Sequence, residues 1–433
     1  MPETPTMSEF FRLSAREAAA RIATGRLTAV ALAESCLERI ARRESELGAW
    51  AYIDADQVLA EARARDQSGP RGALHGIPIG VKDIMDTADM PTAYGSRVYR
   101  GFRPAADAAC VALARAAGAV ILGKTVTTEF AALSPGKTRN PHDPAHTPGG
   151  SSSGSAAGVA DVMMPLAFGT QTAGSVLRPA SFCGVVGMKP SFGLIATAGT
   201  KPLSPSLDTI GGFARSVADV AFFIAALSDR PELLPEAPAA RPRIGVYQPA
   251  PWDKAEPATL AALEAAREKL GRAGATLAER SHFPAFDGLA AAQSTIMSYE
   301  AARSLAWERL NRGTEIMPRT AALLAEGVAV STAAYDAARR TAVVARAQCA
   351  EFFGTFDAML VPAAPGEAPL IATTGDPVFN RPWTLLHLPA IALPGHRVPS
   401  GLPVGIQLVG RPGEDARLLA IALFAEAALG TGA

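Results

Sequence analysis

The sequence predicts an α/β protein in which helices are layered on a sheet, and three observations carry that prediction. Amphipathic helical stretches alternate with short apolar stretches along most of the chain. Glycine and proline mark the changeovers between them. The chain is 433 residues long and 48% hydrophobic with 19% charged residues, a balance that suits a large buried core and excludes a disordered chain.

The elements follow in order. Helical patterns dominate the first 70 residues, so N-terminal helices are expected over about 8–65. In LTAVALAESCLERIARR (27–43), Thr28 is placed to cap a helix with an apolar stripe and a basic last turn. LHGIPIGVKD (74–83) then alternates Ile77, Ile79 and Val81, the period of a half-buried strand, and delivers Lys82 to its end. DAACVALARAAG (107–118) reads as a helix from an Asp107 cap to a Gly118 stop, followed by the buried strand AVILGK. Helix then strand recurs over 254–279, with Leu260, Leu263, Ala266 and Leu270 expected on one helical face. The stretch from about 285 to 352 is alanine-rich and almost wholly helical, a cap-like excursion on the α/β body. FDAMLVPAAP and GLPVGIQLVG return to strands, and EDARLLAIALFAEAAL closes with a helix. No long linker and no repeat of fixed period interrupts the chain, so 1–433 reads as a single domain.

Composition narrows the function classes. The 41 basic and 41 acidic residues cancel, and no Lys/Arg block offers a footprint for nucleic acid. Cys36, Cys110, Cys183 and Cys349 lie far apart and read as buried small hydrophobes in a reducing compartment. The start MPETPTMSEFFRL lacks the pattern of a signal peptide. The longest apolar runs, 220–227 and 418–425, are too short to span a bilayer. A soluble, cytoplasmic protein is expected, one that binds neither nucleic acid nor membrane and acts as a monomer or homodimer.

Several motifs compete for the chemistry. GAVILGKT (118–125) matches the phosphate-loop pattern letter for letter, but a helix precedes Gly118 and its inner residues call for burial, so it reads as a strand. HTPGGSSSGSAAG (146–158) contains Gly150-Ser151-Ser152-Ser153-Gly154, the frame of a nucleophile elbow centred on Ser152. The strand that such an elbow needs is missing upstream, although His282, His387 and His396 stand as candidate bases. The six histidines show no metal-binding spacing, and His142 with His146 sits in a proline-broken loop; no metal and no cofactor is expected. A second glycine-flanked serine, Ser175, lies in FGTQTAGSVLRPASFCGVVGMKP (168–190). Taken alone, it is as readily a tight turn as a site, and Lys82 alone reads as a solvated charge.

Taken together, GIPIGVKD, PGGSSSGSAAG, GTQTAGSVLRPASFCGVVGMKP and the tail PAIALPGHRVPSGLPVGIQLVGRPGEDARLL resemble, in that order, the amidase signature family, over about residues 10–428. GALHGIPIGVKDIMDTADMPTAYGS and GKTVTTEFA add to the resemblance. It implies a mixed central sheet covered by helices on both faces, with the helical excursion near the site. It also implies a Ser–Ser–Lys triad, with Lys82 as base, Ser151 as bridge and Ser175 as nucleophile, and a cis peptide bond at Gly150–Ser151. Thr172, Ala173, Gly174 and Ser175 would then supply backbone N–H groups to an oxyanion hole. Gln171, Arg178, Ser152 and Ser153 are expected to brace the loops.

The sequence departs from the family's usual pattern: Gln171 stands for Asp, Ala173 for Gly, Ser153 for Gly and Val126 for Asn. The expected activity is serine-type hydrolysis of small amides through an acyl-enzyme, on carboxamides and anilides with carbamates (urethanes) as a further class. The alternative is an amidotransferase subunit that releases ammonia from glutamine within a complex, for which the chain is short. A catalytically silent scaffold is disfavoured by the intact Lys82, Ser151 and Ser175. Met297, Tyr299, Trp307, Trp383 and His387 are candidates for the acyl pocket, with core packing the plainer role for each.

Overall fold

The computed structural model describes residues 7–431. Its frame is one mixed sheet whose strands are β1 (Trp50–Ile53), β2 (Pro78–Lys82), β3 (Val120–Thr125), β4 (Leu166–Gln171), β5 (Val186–Lys189), β6 (Thr209–Ala214), β7 (Arg243–Tyr247), β8 (Thr276–Arg280), β9 (Ala358–Pro362), β10 (Ala390–Arg397) and β11 (Pro403–Gly410). They lie in the order β1-β3-β2-β4-β6-β5-β10-β11-β9-β7-β8. β2 runs parallel to both β3 and β4, while the centre from β4 through β6, β5, β10, β11 and β9 pairs antiparallel. Central strands such as β2, β4 and β11 are buried along their whole length, the near-continuous apolar reading of a sheet covered by helices.

The N-terminal helices form as their caps dictate. Ser14, Thr28 and Asp54 each accept a backbone N–H at the start of helices Ala15–Ala23, Ala29–Leu47 and Ala55–Gln67. Gly48 ends the second of these in the left-handed conformation, φ 63°. β1 between the second and third helices escaped the sequence reading because it is a four-residue edge strand.

Two local expectations are corrected. The cap of helix Ala109–Ala116 is Ala108, without a side-chain bond; Asp107 instead accepts the Ala88 N–H at 2.8 Å and pairs with Arg115. In helix Pro257–Arg272 the buried stripe is Thr259, Ala262, Leu263, Ala266 and Leu270, whereas Leu260 is 42% exposed. Leu260 is one position, about 100° of helical turn, off that stripe.

Between β8 and β9 the chain makes the expected excursion, with helices Leu289–Ser304, Ala306–Asn311, Pro318–Ala329, Thr332–Ala347 and Cys349–Phe353. The helix Asp415–Leu429 closes the fold. No helix among the described residues is long and apolar enough to cross a membrane. All four cysteines are buried free thiols, with burial pushing the Cys36 and Cys110 thiols up to about 12.

Candidate active site

The site is built at the carboxyl ends of two adjacent parallel strands, where α/β sheets commonly open toward ligands. β2 ends in Lys82 and β4 runs through Thr170 to Gln171. The helix Ser153–Ala160 packs beside them, close enough that a Cβ on Gly154 would lie 2.1 Å from the Ala49 carbonyl oxygen. That helix carries the Ser151–Ser153 run at its amino end.

Lys82 is wholly buried. Its Nζ lies 2.7 Å from Ser151 Oγ, 2.6 Å from Thr170 Oγ1 and 3.4 Å from the Thr170 carbonyl oxygen. No carboxylate among the described residues forms an ion pair with it. Burial therefore holds its pKa well below the usual lysine value, while the charge of Asp208 pulls the other way. A neutral amine in this position has two N–H groups to give to Thr170 and a lone pair for the Ser151 proton.

The Gly150–Ser151 peptide bond is cis. Both carbonyls that flank it are tied, Gly150 O to Arg178 Nη2 at 2.6 Å and Ser151 O to the Thr128 N–H at 3.2 Å. Ser152 is turned elsewhere: its hydroxyl lies 3.3 Å from both the carbonyl oxygen and the N of Thr170. Ser153 donates to the Val126 carbonyl at 3.2 Å. No histidine bonds any of these serines among the described residues. His282 pairs with Asp287 at the surface, and His387 is stacked on Phe192 with its pKa lowered to about 4, chiefly by burial.

The loop from Gln171 to Ser175 is held by the side chains of Gln171 and Thr172 and by the carbonyls of Thr172 and Ala173. Gln171 Oε1 accepts from the N–H groups of Val176 and Leu177, and its Nε2 donates to Thr384 Oγ1 at 2.9 Å. Thr384 in turn donates to the Ala173 carbonyl at 2.8 Å, and Gln293 Nε2 donates to the Thr172 carbonyl at 2.8 Å. The Thr172 hydroxyl donates to Asp208, whose other carboxylate oxygen accepts from the N–H groups of Leu203 and Ser204. Burial raises Asp208 to about 6, against the pull of these bonds. The backbone N–H groups of Thr172, Ala173, Gly174 and Ser175 find no acceptor among the described residues, which leaves a row of oriented donors. Gly174 is required there: a Cβ would lie 2.3 Å from Asn380 Oδ1.

Ser175 is 8% exposed and opens onto a narrow cavity with about 30 Å³ of space open to water, lined by Ala131, Leu133, Met297, Leu323 and two arginines, Arg178 and Arg381. No hydrogen bond joins Ser175 Oγ to Ser151 in this structure. The sequence missed Thr170, Asp208, Gln293 and Thr384. Thr170 lay within the 168–190 stretch already singled out and Thr384 between Trp383 and His387, whereas Asp208 and Gln293 lay in none. Of the candidate acyl-pocket residues, Met297 lines the cavity. Tyr299 stacks on Tyr335, Trp383 is buried among Tyr247, Phe286 and Phe352, and Trp307 is 53% exposed beside Tyr99. Trp307 thus departs from the core role expected of it, because its short helix sits at the outer rim of the excursion.

Lys124, the lysine of the phosphate-loop pattern, is buried in β3 and bonded to Asp83, Met85 O and Thr92 Oγ1, so no phosphate-binding loop exists there.

Comparison with known proteins places this arrangement. A family model described as Amidase matches residues 31–419. A glutamyl-tRNA(Gln) amidotransferase subunit of Anaeromyxobacter sp. (strain K) is 36% identical, over 98% of this chain and 97% of that protein. The alignment has 481 positions for a chain of 433 residues, so the chain's smaller size against that subunit lies in gaps inside the alignment. Among solved structures, a crystal structure of an amidase superposes with a TM-score of 0.89 at 32% identity, over 96% of this chain and all of that one. The native peptide amidase of Stenotrophomonas maltophilia gives 0.83 at 30% identity, over 98% of both chains.

Proposed function

The chain belongs to the amidase signature family, and from that premise we propose that it is a free-standing serine hydrolase cleaving the C–N bond of small amides through an acyl-enzyme. The observation that carries this reading is Lys82, wholly buried, unpaired with any carboxylate among the described residues, and 2.7 Å from Ser151 Oγ. A serine hydroxyl needs a base within reach, and a desolvated lysine is neutral enough to serve.

In this reading Lys82 takes the Ser151 proton as Ser151 takes that of Ser175, and Ser175 Oγ bonds to the carbonyl carbon. Catalytic hydrogen bonds are often loose before substrate binds, and the Ser151–Ser175 contact tightens at that stage. The charge developing on the carbonyl oxygen meets the open N–H groups of Thr172 to Ser175. The relay then runs backward and protonates the departing amine, and water releases the acid from Ser175. Gln171, Arg178 and Ser152 hold the two loops in register.

We infer carboxamides and anilides as substrates, with carbamates reacting more slowly. An oxyanion hole of N–H groups does not distinguish carbon from alkoxy on the acyl carbon, but carbamates are the weaker electrophiles. Matched anilide and carbamate pairs, assayed on the purified protein with chelator present, test this. Turnover of both, the anilide faster, is expected. Anilide turnover alone removes carbamates from the scope, and loss of all activity in chelator removes the mechanism. The 36% identity to an amidotransferase subunit supports a second reading, ammonia release from glutamine inside a complex. A protein that purifies as a lone monomer or homodimer with activity on small amides argues against it. Activity confined to glutamine and dependent on added partner subunits argues for it.

A further inference from the structure

Two guanidinium groups, Arg178 and Arg381, stand in the wall of the cavity over Ser175, and neither is in ion-pair contact with a carboxylate among the described residues. Arg178 is only 4% exposed, and its Nη2 bonds to the Gly150 carbonyl and reaches Thr374 Oγ1 at 3.4 Å. Its Nε and Nη1 are buried and find no acceptor among the described residues. Arg381 is half-buried, and its Nη1 donates to Gln293 Oε1 at 2.7 Å and Ser294 Oγ at 2.5 Å, both neutral acceptors. Neither arginine forms an ion pair among the described residues.

Asp376 is the acid whose charge reaches both arginines, and its Oδ1 is taken by the Val378 N–H at 3.0 Å. Burial draws the Arg178 pKa down to about 9, which still leaves the group charged at neutral pH. Lys82, the other cation nearby, is held toward its neutral form. The cavity wall therefore carries two positive charges against one acid, with buried donors unspent. Leaving a buried charge without a partner is costly, and a charged acceptor is the group that best offsets it.

We propose that Arg178 and Arg381 bind a carboxylate carried by the substrate a few bonds from the scissile carbonyl, so that the preferred substrates are small anionic amides. This rests on the amide-hydrolase reading and narrows its substrate class. Arg178 serves twice: Nη2 steadies the Gly150 carbonyl beside the bridging serine, and its positive charge adds to that of Arg381 in attracting the ligand. The tightness of the cavity fits a compact, charged acyl group better than a bulky apolar one.

Succinamate and butyramide test the proposal, since they differ only in a terminal carboxylate against a methyl group. The wild-type protein should show kcat/KM for succinamate about tenfold or more above that for butyramide, carried mainly in KM and weakened by salt. Arg381→Gln should bring the ratio toward one, and Arg381→Lys should restore part of it. Labelling of Ser175 by a fluorophosphonate shows that each variant is folded with a reactive serine. Succinate should slow that labelling in the wild type and not in Arg381→Gln, a readout independent of turnover. Butyramide hydrolysed as fast as succinamate, or succinate without effect on labelling, overturns the carboxylate site and leaves the amidase reading standing. No hydrolysis of either amide together with no labelling of Ser175 overturns the amidase reading itself, and the carboxylate site with it.

Discussion

Replacing Thr170 with valine removes one hydroxyl at nearly constant volume, which isolates the bond that Thr170 shares with Lys82. That bond is 2.6 Å long and buried from water, so the amine has no substitute partner at that position. A buried donor left without an acceptor costs about 1–3 kcal/mol. If that cost falls on the transition state, in which Lys82 must hold its lone pair toward Ser151, it amounts to about 5- to 150-fold in rate. The pH profile gives the direction a second time. A charged Lys82 needs three acceptors, and Ser151 Oγ, Thr170 Oγ1 and Thr170 O are the three in reach. Removing one penalises the charged form more than the neutral one. The lysine pKa then falls further, and the acid limb of the pH–rate curve moves to lower pH even as the plateau drops. Thr170→Ser keeps the hydroxyl and should keep most of the rate. Initial rates on an anilide across pH, with thermal unfolding as the control for folding, measure both effects. A valine variant within about twofold of wild type and with an unmoved acid limb refutes the role given to Thr170. So does a serine variant as impaired as the valine one.

The same geometry makes three further predictions. Ser175→Ala should abolish fluorophosphonate labelling while Ser152→Ala keeps substantial activity, and mass spectrometry of the labelled peptide locates the adduct; an adduct on Ser152 contradicts the assignment. Lys82→Met should lose several orders of magnitude in turnover, and Lys82→Arg should not rescue it, because arginine stays protonated. Because the folded Lys82 pKa lies below its ordinary 10.5, the unfolded chain binds more protons between those values and wild-type stability rises with pH there. The stability of Lys82→Met relative to wild type should accordingly be most favourable near neutral pH and decline as pH approaches 10.5; a difference flat across that range contradicts the buried neutral lysine. Gly174→Ala drives a Cβ to 2.3 Å from Asn380 Oδ1 and should cut kcat. Displacing a close-packed loop costs about 1–3 kcal/mol, and an unchanged kcat would show that the loop is not fixed by that contact.

Much of the fold was legible because the helices carry their own signals. Thr28 caps where it was expected to, and β3 and β11 form where the apolar stretches placed them. β2, expected half-buried from the alternation of Ile77, Ile79 and Val81, is instead buried along its whole length because helices cover both its faces. β1 was not legible, since four residues on an edge hold too little pattern. Asp107 looked like a cap and is instead an ion-pair partner of Arg115, because tertiary contact outbid the local one. At the site, Lys82, Ser151 and Ser175 stood out through the glycine-rich stretches around them and the order in which those stretches occur. Their supports did not. Asp208, Gln293 and Thr384 come from a loop and two helices far apart in sequence, each meeting the 171–175 loop through no more than one or two side-chain bonds. Nothing local distinguishes such a glutamine or threonine from one that faces water.

Burial treats the site's two kinds of cation differently, and the difference explains why each residue type stands where it does. Both Lys82 and Arg178 are removed from water, and neither has a carboxylate within ion-pair distance among the described residues. A lysine can answer desolvation by giving up its proton, which converts the cost of burial into a base next to Ser151. An arginine at neutral pH does not take that route: its charge persists, and the surroundings must supply negative potential. Gly150 O and Thr374 Oγ1 supply part of it through one nitrogen. The charge of Asp376 adds to it, and the proposed carboxylate of the substrate supplies the remainder. Exchanging the two residue types would defeat both functions at once, since an arginine at 82 would hold its proton and a lysine at 178 would tend to lose the charge that an anionic ligand requires.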